Sequence, residues 1–119
     1  MNFDKILKDI VESIEGAIGA AVMGFDGILV AKYLRDKSGL DIESLAIEFS
    51  KVISESSRIS KSVNVGNLME ISLSAKDHCL VFYILPDNYF VTLLLNEGAS
   101  IGKGRYILKR NASELIAQF

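Results

Sequence analysis

His78 and Cys79 are the chain's only histidine and only cysteine, and they are adjacent. Nucleophilic catalysis needs a base in reach of the nucleophile and a third group to orient that base. The two residues open the apolar run His78 to Leu85, which reads as a strand, and successive strand side chains point to opposite faces. They therefore cannot pair, and the sequence predicts a buried small cysteine beside a turn-proximal histidine. One Cys and one His also cannot complete a Cys/His zinc set or a disulfide within one chain. No close carboxylate pair stands apart from the solvated charges of amphipathic helices, so general acid–base chemistry has no evident seat. The expectation is a protein that is not an enzyme, with no catalytic residue, cofactor or metal.

A second motif, Gly98-Ala99-Ser100-Ile101-Gly102-Lys103-Gly104, has the flavour of a phosphate-binding loop. That loop needs four residues between its glycines and a hydroxyl residue after the lysine to hold magnesium. Here three residues intervene and Gly104 replaces the hydroxyl. The spacing favours a structural role: Gly98 ends a strand, and Gly102 and Gly104 let the last helix lie close on a sheet.

The elements that must position these residues follow from periodicity. Phe3, Ile6, Leu7, Ile10, Val11 and Ile14 make one apolar stripe on a charged helix, with Asn2 as N-cap and Gly16 as stop. Two β-rich runs, 17 to 23 and 28 to 34, flank Gly24-Phe25-Asp26-Gly27, and the Asp-Gly pair signals a hairpin. Polar residues Arg35 to Gly39 read as a loop, and Asp41 as the cap of a long helix reaching about Ser62. Strands follow at 67–74, 78–85 and 89–95. They are joined by Ala75-Lys76-Asp77 and Pro86-Asp87-Asn88, links short enough to make neighbouring strands antiparallel. A helix from about 100 to 119 closes the chain, with Ile101, Leu108, Ala112, Leu115 and Phe119 on one side. The order is α-β-β-α-β-β-β-α. It predicts an α+β sandwich with a five-stranded antiparallel sheet, the long middle helix on one face and the terminal helices on the other.

On the middle helix the expected inner face is Ile42, Leu45, Phe49, Val52, Ser56 and Val63. The outer face carries Glu43, Ile47, Lys51, Ser54, Arg58 and Lys61. Between them Ala46, Ser50, Ile53 and Ser57 repeat at heptad spacing with mostly small side chains, which suits a helix–helix seam.

The bulk numbers agree with a single domain over residues 1–119. The chain is 50% hydrophobic and 24% charged with a net charge of −2, so it has no basic field for nucleic acid or anionic lipid. The unbroken run Leu80–Leu85 is too short to span a bilayer, and Met1 to Asp4 lacks the basic-then-apolar order of a signal peptide. Neither a nucleic-acid partner nor membrane insertion is expected, and the setting reads as cytoplasmic.

The segment from Glu15 through the Asp26-Gly27 turn to Ala31 resembles the opening hairpin of the roadblock family, which includes dynein roadblock light chains and prokaryotic regulators of Ras-like GTPases in gliding motility. Its pattern there is a glycine-rich first strand, an Asp-Gly turn and a second strand entering a small residue. Ile101-Gly102-Lys103-Gly104-Arg105 is similar to the family's start of the last helix, and the element order matches over essentially the whole chain. Gly104 and the serine-dense middle helix depart from the pattern. The resemblance implies a profilin-like roadblock fold and a homodimer through the third strand and middle helix. Ala46, Ser50, Ile53, Ser57, Leu68, Met69 and Ile71 would then form the interface. It further implies a non-catalytic regulator or scaffold for a Ras-like small GTPase that meets Glu43, Ile47, Lys51, Ser54, Arg58 and Lys61. Arg58 is not assigned as an arginine finger, because in prokaryotic members the dimer orders the GTPase's own residues. Two alternatives stay open: a roadblock scaffold of another complex without GTPase contact, and a profilin- or PAS-like small-molecule sensor.

Overall fold

Among the described residues the apolar periodicities become three helices and five strands in the expected order. The computed structural model describes residues 2–35 and 39–119. The elements are α1 (Phe3–Glu12), β1 (Ala17–Gly24), β2 (Leu29–Leu34), α2 (Ile42–Ser62), β3 (Glu70–Ser74), β4 (His78–Leu85), β5 (Tyr89–Asn96) and α3 (Ile101–Ile116). The strands form one antiparallel sheet in the order β2-β1-β5-β4-β3. Residues 36–38 of the expected polar loop lie outside the described residues. β3 starts at Glu70 rather than Asn67, after an exposed stretch in which Asn64 and Gly66 take φ of 62° and 101°.

Local chemistry sets the boundaries. Asp41 caps α2: its carboxylate accepts from the Ser44 N–H at 3.1 Å and the Ser44 hydroxyl at 2.7 Å. Those bonds, the hydroxyl's first, hold the Asp41 carboxyl below its ordinary value. The cap therefore acts fully above the ordinary carboxylate range and is lost as pH falls through the lowered value. Asn2 stands at the N-cap of α1 without a side-chain cap bond; its N–H instead donates to the Gln118 side chain at 2.7 Å. In the hairpin the Gly24 N–H donates to the Ile28 carbonyl, and the Asp26 carboxylate accepts from the Ile28 N–H, both at 3.0 Å.

The sheet separates two apolar layers. One packs α1 and α3 on Ala20, Val22, Val81, Val91, Leu93 and Leu95. The other packs α2 on Ala21, Met23, Leu80, Phe82, Phe90 and Leu94. β1 is buried along its whole length and β5 along nearly all of it.

α2 is turned from its expected orientation. Ala46 and Ile53 are fully buried against the helix's own sheet and Ser50 is 4% exposed, so three of the four expected seam residues are core. Val52 and Val63, expected inside, are 50% and 58% exposed. Hydropathy misled because serine scores as polar, whereas the Ser50 hydroxyl donates to the Ile47 carbonyl at 2.6 Å and is satisfied within its own helix. Small side chains at 46 and 50 then bring the helix close to the sheet.

The two helical glycines also divide. A methyl added at Gly104 would lie 3.1 Å from Leu93 Cδ2 and 3.2 Å from Leu95 Cδ1, so this residue sets how closely α3 approaches the sheet. Gly102, expected to do the same, faces solvent and would meet only Ser100 Oγ at 3.9 Å. Gly104→Leu should destabilise the fold by about 1–3 kcal/mol through overpacking. Gly102→Ala should instead stabilise it, by up to about 1 kcal/mol of helix propensity. Urea unfolding of both variants checks the contrast.

Thr92 on β5 is fully buried and its hydroxyl has no partner among the described residues. An unsatisfied buried hydroxyl costs about 1–3 kcal/mol. Thr92→Val, nearly the same shape, should therefore stabilise the fold by about 1 kcal/mol or more, seen as a higher urea midpoint at an unchanged slope.

Candidate interaction surface

The motifs that could carry chemistry are kept apart by the fold. Cys79 packs against the layer beneath α1 and α3, its Sγ 3.8 Å from Ser74 Oγ. His78, one residue earlier on the same strand, points to the other face. Both are half-buried. Among the described residues no three His, Cys, Asp or Glu side chains gather as a metal site would require, and no helix is long and apolar enough to cross a membrane. The glycine-rich segment 98–104 is a turn and a helix start: Gly98 takes φ of +84°, and the Ser100 hydroxyl caps α3 by accepting from the Lys103 N–H at 3.1 Å.

The informative surface is α2 with its surroundings, because the helix presents two different flanks. The first carries Leu45, Phe49, Val52, Ser56, Ile59 and Val63 at alternating spacings of four and three. Phe49 lies on Phe82 of β4 with ring centroids 5.2 Å apart, which turns this flank toward the β4–β3 half of the sheet. There the apolar layer is thin, with Leu68, Ile71, Leu73 and Ile84 only partly buried. Met69, just before β3, is 60% exposed. β3 is also the last strand of the sheet, so one of its edges carries no partner strand among the described residues.

The opposite flank carries Glu43, Ile47, Ser54, Arg58 and Lys61, with Lys51 nearby on the solvent side. Gly27 of the hairpin lies beside Ile47 and Ser50, so this flank faces the β1–β2 turn. Phe25, Ser54, Ser57, Arg58, Lys61, Ser62 and Asn88 line an open cleft of about 510 Å³. The Phe25 N–H donates to the Asn88 carbonyl at 2.8 Å, tying the hairpin to the β4–β5 turn at the cleft's edge. Lys32 of β2 reaches Glu43 at 3.7 Å. Arg58 pairs with Glu55 one turn back, which holds the Glu55 carboxyl below its ordinary range and the guanidinium above its own.

All six residues expected to meet a partner thus border the solvent side of α2 around one half-exposed isoleucine. Of the expected dimer residues, Leu68, Met69 and Ile71 lie on the β3 side. Ala46, Ser50 and Ile53 are withdrawn into the chain, and Ser57 lines the cleft on the other flank. The stripe from Leu45 to Val63 reads as core by hydropathy, and its heptad spacing is the signal that could have marked it as a surface.

No family model and no curated protein matches the sequence. Solved structures do. MglC from Myxococcus xanthus is 30% identical, with a TM-score of 0.73 and complete coverage of both chains. The gliding protein MglB from Thermus thermophilus is 19% identical, covering 97% of this chain and 85% of its own at a TM-score of 0.82. A Roadblock/LC7 domain from Streptomyces avermitilis is 12% identical, covering 98% and 99% at a TM-score of 0.77. With the whole chain matched at 30% identity and the α-β-β-α-β-β-β-α order in place, this chain belongs to the roadblock family.

Proposed function

We propose that the chain works as a single roadblock-type domain in a cytoplasmic homodimer, a non-catalytic regulator or scaffold that binds a Ras-like small GTPase and modulates its nucleotide cycle. The observation that carries this reading is the division of α2 into an apolar flank beside an unpaired sheet edge and a polar flank beside the hairpin. The first has the composition of a dimer seam and the second that of a protein-binding face.

The dimer seam is assigned to Leu45, Phe49, Val52, Ser56 and Ile59 of α2 and its C-cap Val63, with Leu68, Met69, Ile71 and the β3 edge. Two α2 helices packed along this stripe would cover it, and pairing the β3 edges would satisfy backbone groups that a lone edge leaves to solvent. An interface of about 1,600 Å² is the standard size for a stable complex. Val52→Asp with Ile59→Asp should give a folded monomer in sedimentation, since both side chains are exposed in the single chain. A native protein that is monomeric at micromolar concentration overturns the assignment, as does a double variant that stays dimeric.

The partner face is assigned to Glu43, Ile47, Lys51, Ser54, Arg58 and Lys61. An exposed isoleucine among charges of both signs suits a moderately polar interface with a small apolar centre. A GTPase resting its switch segments there would be regulated by stabilising one switch conformation over another. Ile47→Asp with Arg58→Glu should abolish binding to the GTP state of the cognate GTPase at unchanged dimer mass and melting temperature. Unchanged affinity in both nucleotide states removes this face from the assignment.

A further inference from the structure

The outward face of α3 has three features that the fold does not require. Tyr106 is 62% exposed at its centre. Gly102, one turn earlier, faces solvent at a φ any residue adopts and, unlike Gly104, has nothing packed on it. Lys103 sits in the first turn, where the helix dipole disfavours a cation. Each works mildly against folding: an exposed aromatic ring, a helical glycine, a misplaced charge.

Charge is also segregated here. Four of the chain's thirteen Lys and Arg, but only one of its fifteen Asp and Glu, lie on α3, leaving it at +3 and the rest of the chain at −5. Arg105 is engaged, pairing with Glu70 of β3. Lys103, Lys109 and Arg110 have no ion-pair partner among the described residues. At 100° per residue these three cations, Tyr106 and Gly102 share the arc opposite the buried Leu108 and Leu115.

We infer that the outer face of α3 is a docking surface for an extended, carboxylate-rich segment of another protein. The cations supply the complement to carboxylates, Tyr106 offers a flat apolar anchor between them, and Gly102 leaves room for a backbone to approach the helix. Nothing on this face suits a lipid surface: beyond Tyr106 its centre offers no apolar side chain to insert, and Ile116 lies at its margin. The inference is independent of the GTPase reading, because α3 and α2 lie on opposite faces of the sheet.

The test uses fluorescein-labelled poly-glutamate as probe, read by anisotropy on the intact protein. Saturable binding is expected at low salt. It should weaken at least about fivefold between roughly 0.05 and 0.3 M salt, as exposed charge pairs do. Lys109→Glu with Arg110→Glu should abolish it, and Tyr106→Ala and Gly102→Leu should each weaken it. Lys5→Glu with Lys8→Glu, a matched reversal on α1, should leave it within about twofold, since charges not in the interface act only through the screened long-range field. Absence of binding at low salt overturns the inference, as does an equal loss in the α1 variant. Preferential binding of anionic vesicles or single-stranded RNA over the peptide, sensitive to the same α3 substitutions, overturns it too.

Discussion

The central strand pair β1–β5 is buried on both faces, and the arrangement of every other element answers to that constraint. A strand with water on neither side needs a layer of helix above and below it. The chain supplies α2 on one side, and α1 with α3 on the other. The fit is tightest along β1. A methyl at Gly19 would lie 2.7 Å from Leu34 Cδ2 and 2.8 Å from the Tyr33 carbonyl oxygen, so β2 and α2 seat only against a bare backbone there. Gly104 plays the corresponding part under α3. Close approach at these two points lets a chain of 119 residues close a three-layer core.

Because α2 must lie close over β1, the helix turns its smallest residues inward. Ala46 and Ser50 face the sheet between Ile42 and Ile53, and the larger Leu45, Val52, Ile59 and Val63 are displaced toward the β3 side. The exposed apolar flank is thus a consequence of how the core is packed, and it falls beside the β4–β3 half of the sheet, where Leu68, Ile71, Leu73 and Ile84 are only partly buried. In the proposed dimer, packing within the chain and association between chains would be linked through the rotation of one helix.

This link also explains which parts of the structure were legible in the sequence. Strand and helix order, the Asp26-Gly27 turn and the Asp41 cap follow from local chemistry, since alternation, a positive-φ glycine and a capping carboxylate each act over a few residues. The rotation of α2 was not local. Its apolar residues extend beyond the buried stripe, from Ile42 and Ile53 round to Val52 and Ile59, and hydropathy alone chose the bulkier set as core. What decided the matter was the depth available above β1, set by Gly19 and Ala21 far away in sequence. Gly102 and Gly104 show the same limit at closer range. Two residues apart on a helix, they point in very different directions, and only the three-dimensional neighbours Leu93 and Leu95 distinguish the packing glycine from the exposed one.

The separation of the two surfaces has a mechanical consequence. A partner on the proposed polar face of α2 and one on the proposed α3 face would rest on helices that cover different apolar layers, with the whole sheet between them. Neither would occlude the other, so the two proposed binding events would be independent unless the intervening layers shift together. An ion pair between Arg105 of α3 and Glu70 of β3 joins α3 to the strand beside the apolar flank of α2. It is half-exposed and therefore weak, so it orients α3 against the sheet edge without coupling the two surfaces strongly. That arrangement suits a scaffold, which must hold one partner while leaving its affinity for another intact. It suits less well a switch in which the first ligand commands the second, because a switch needs a bistable element shared by both sites.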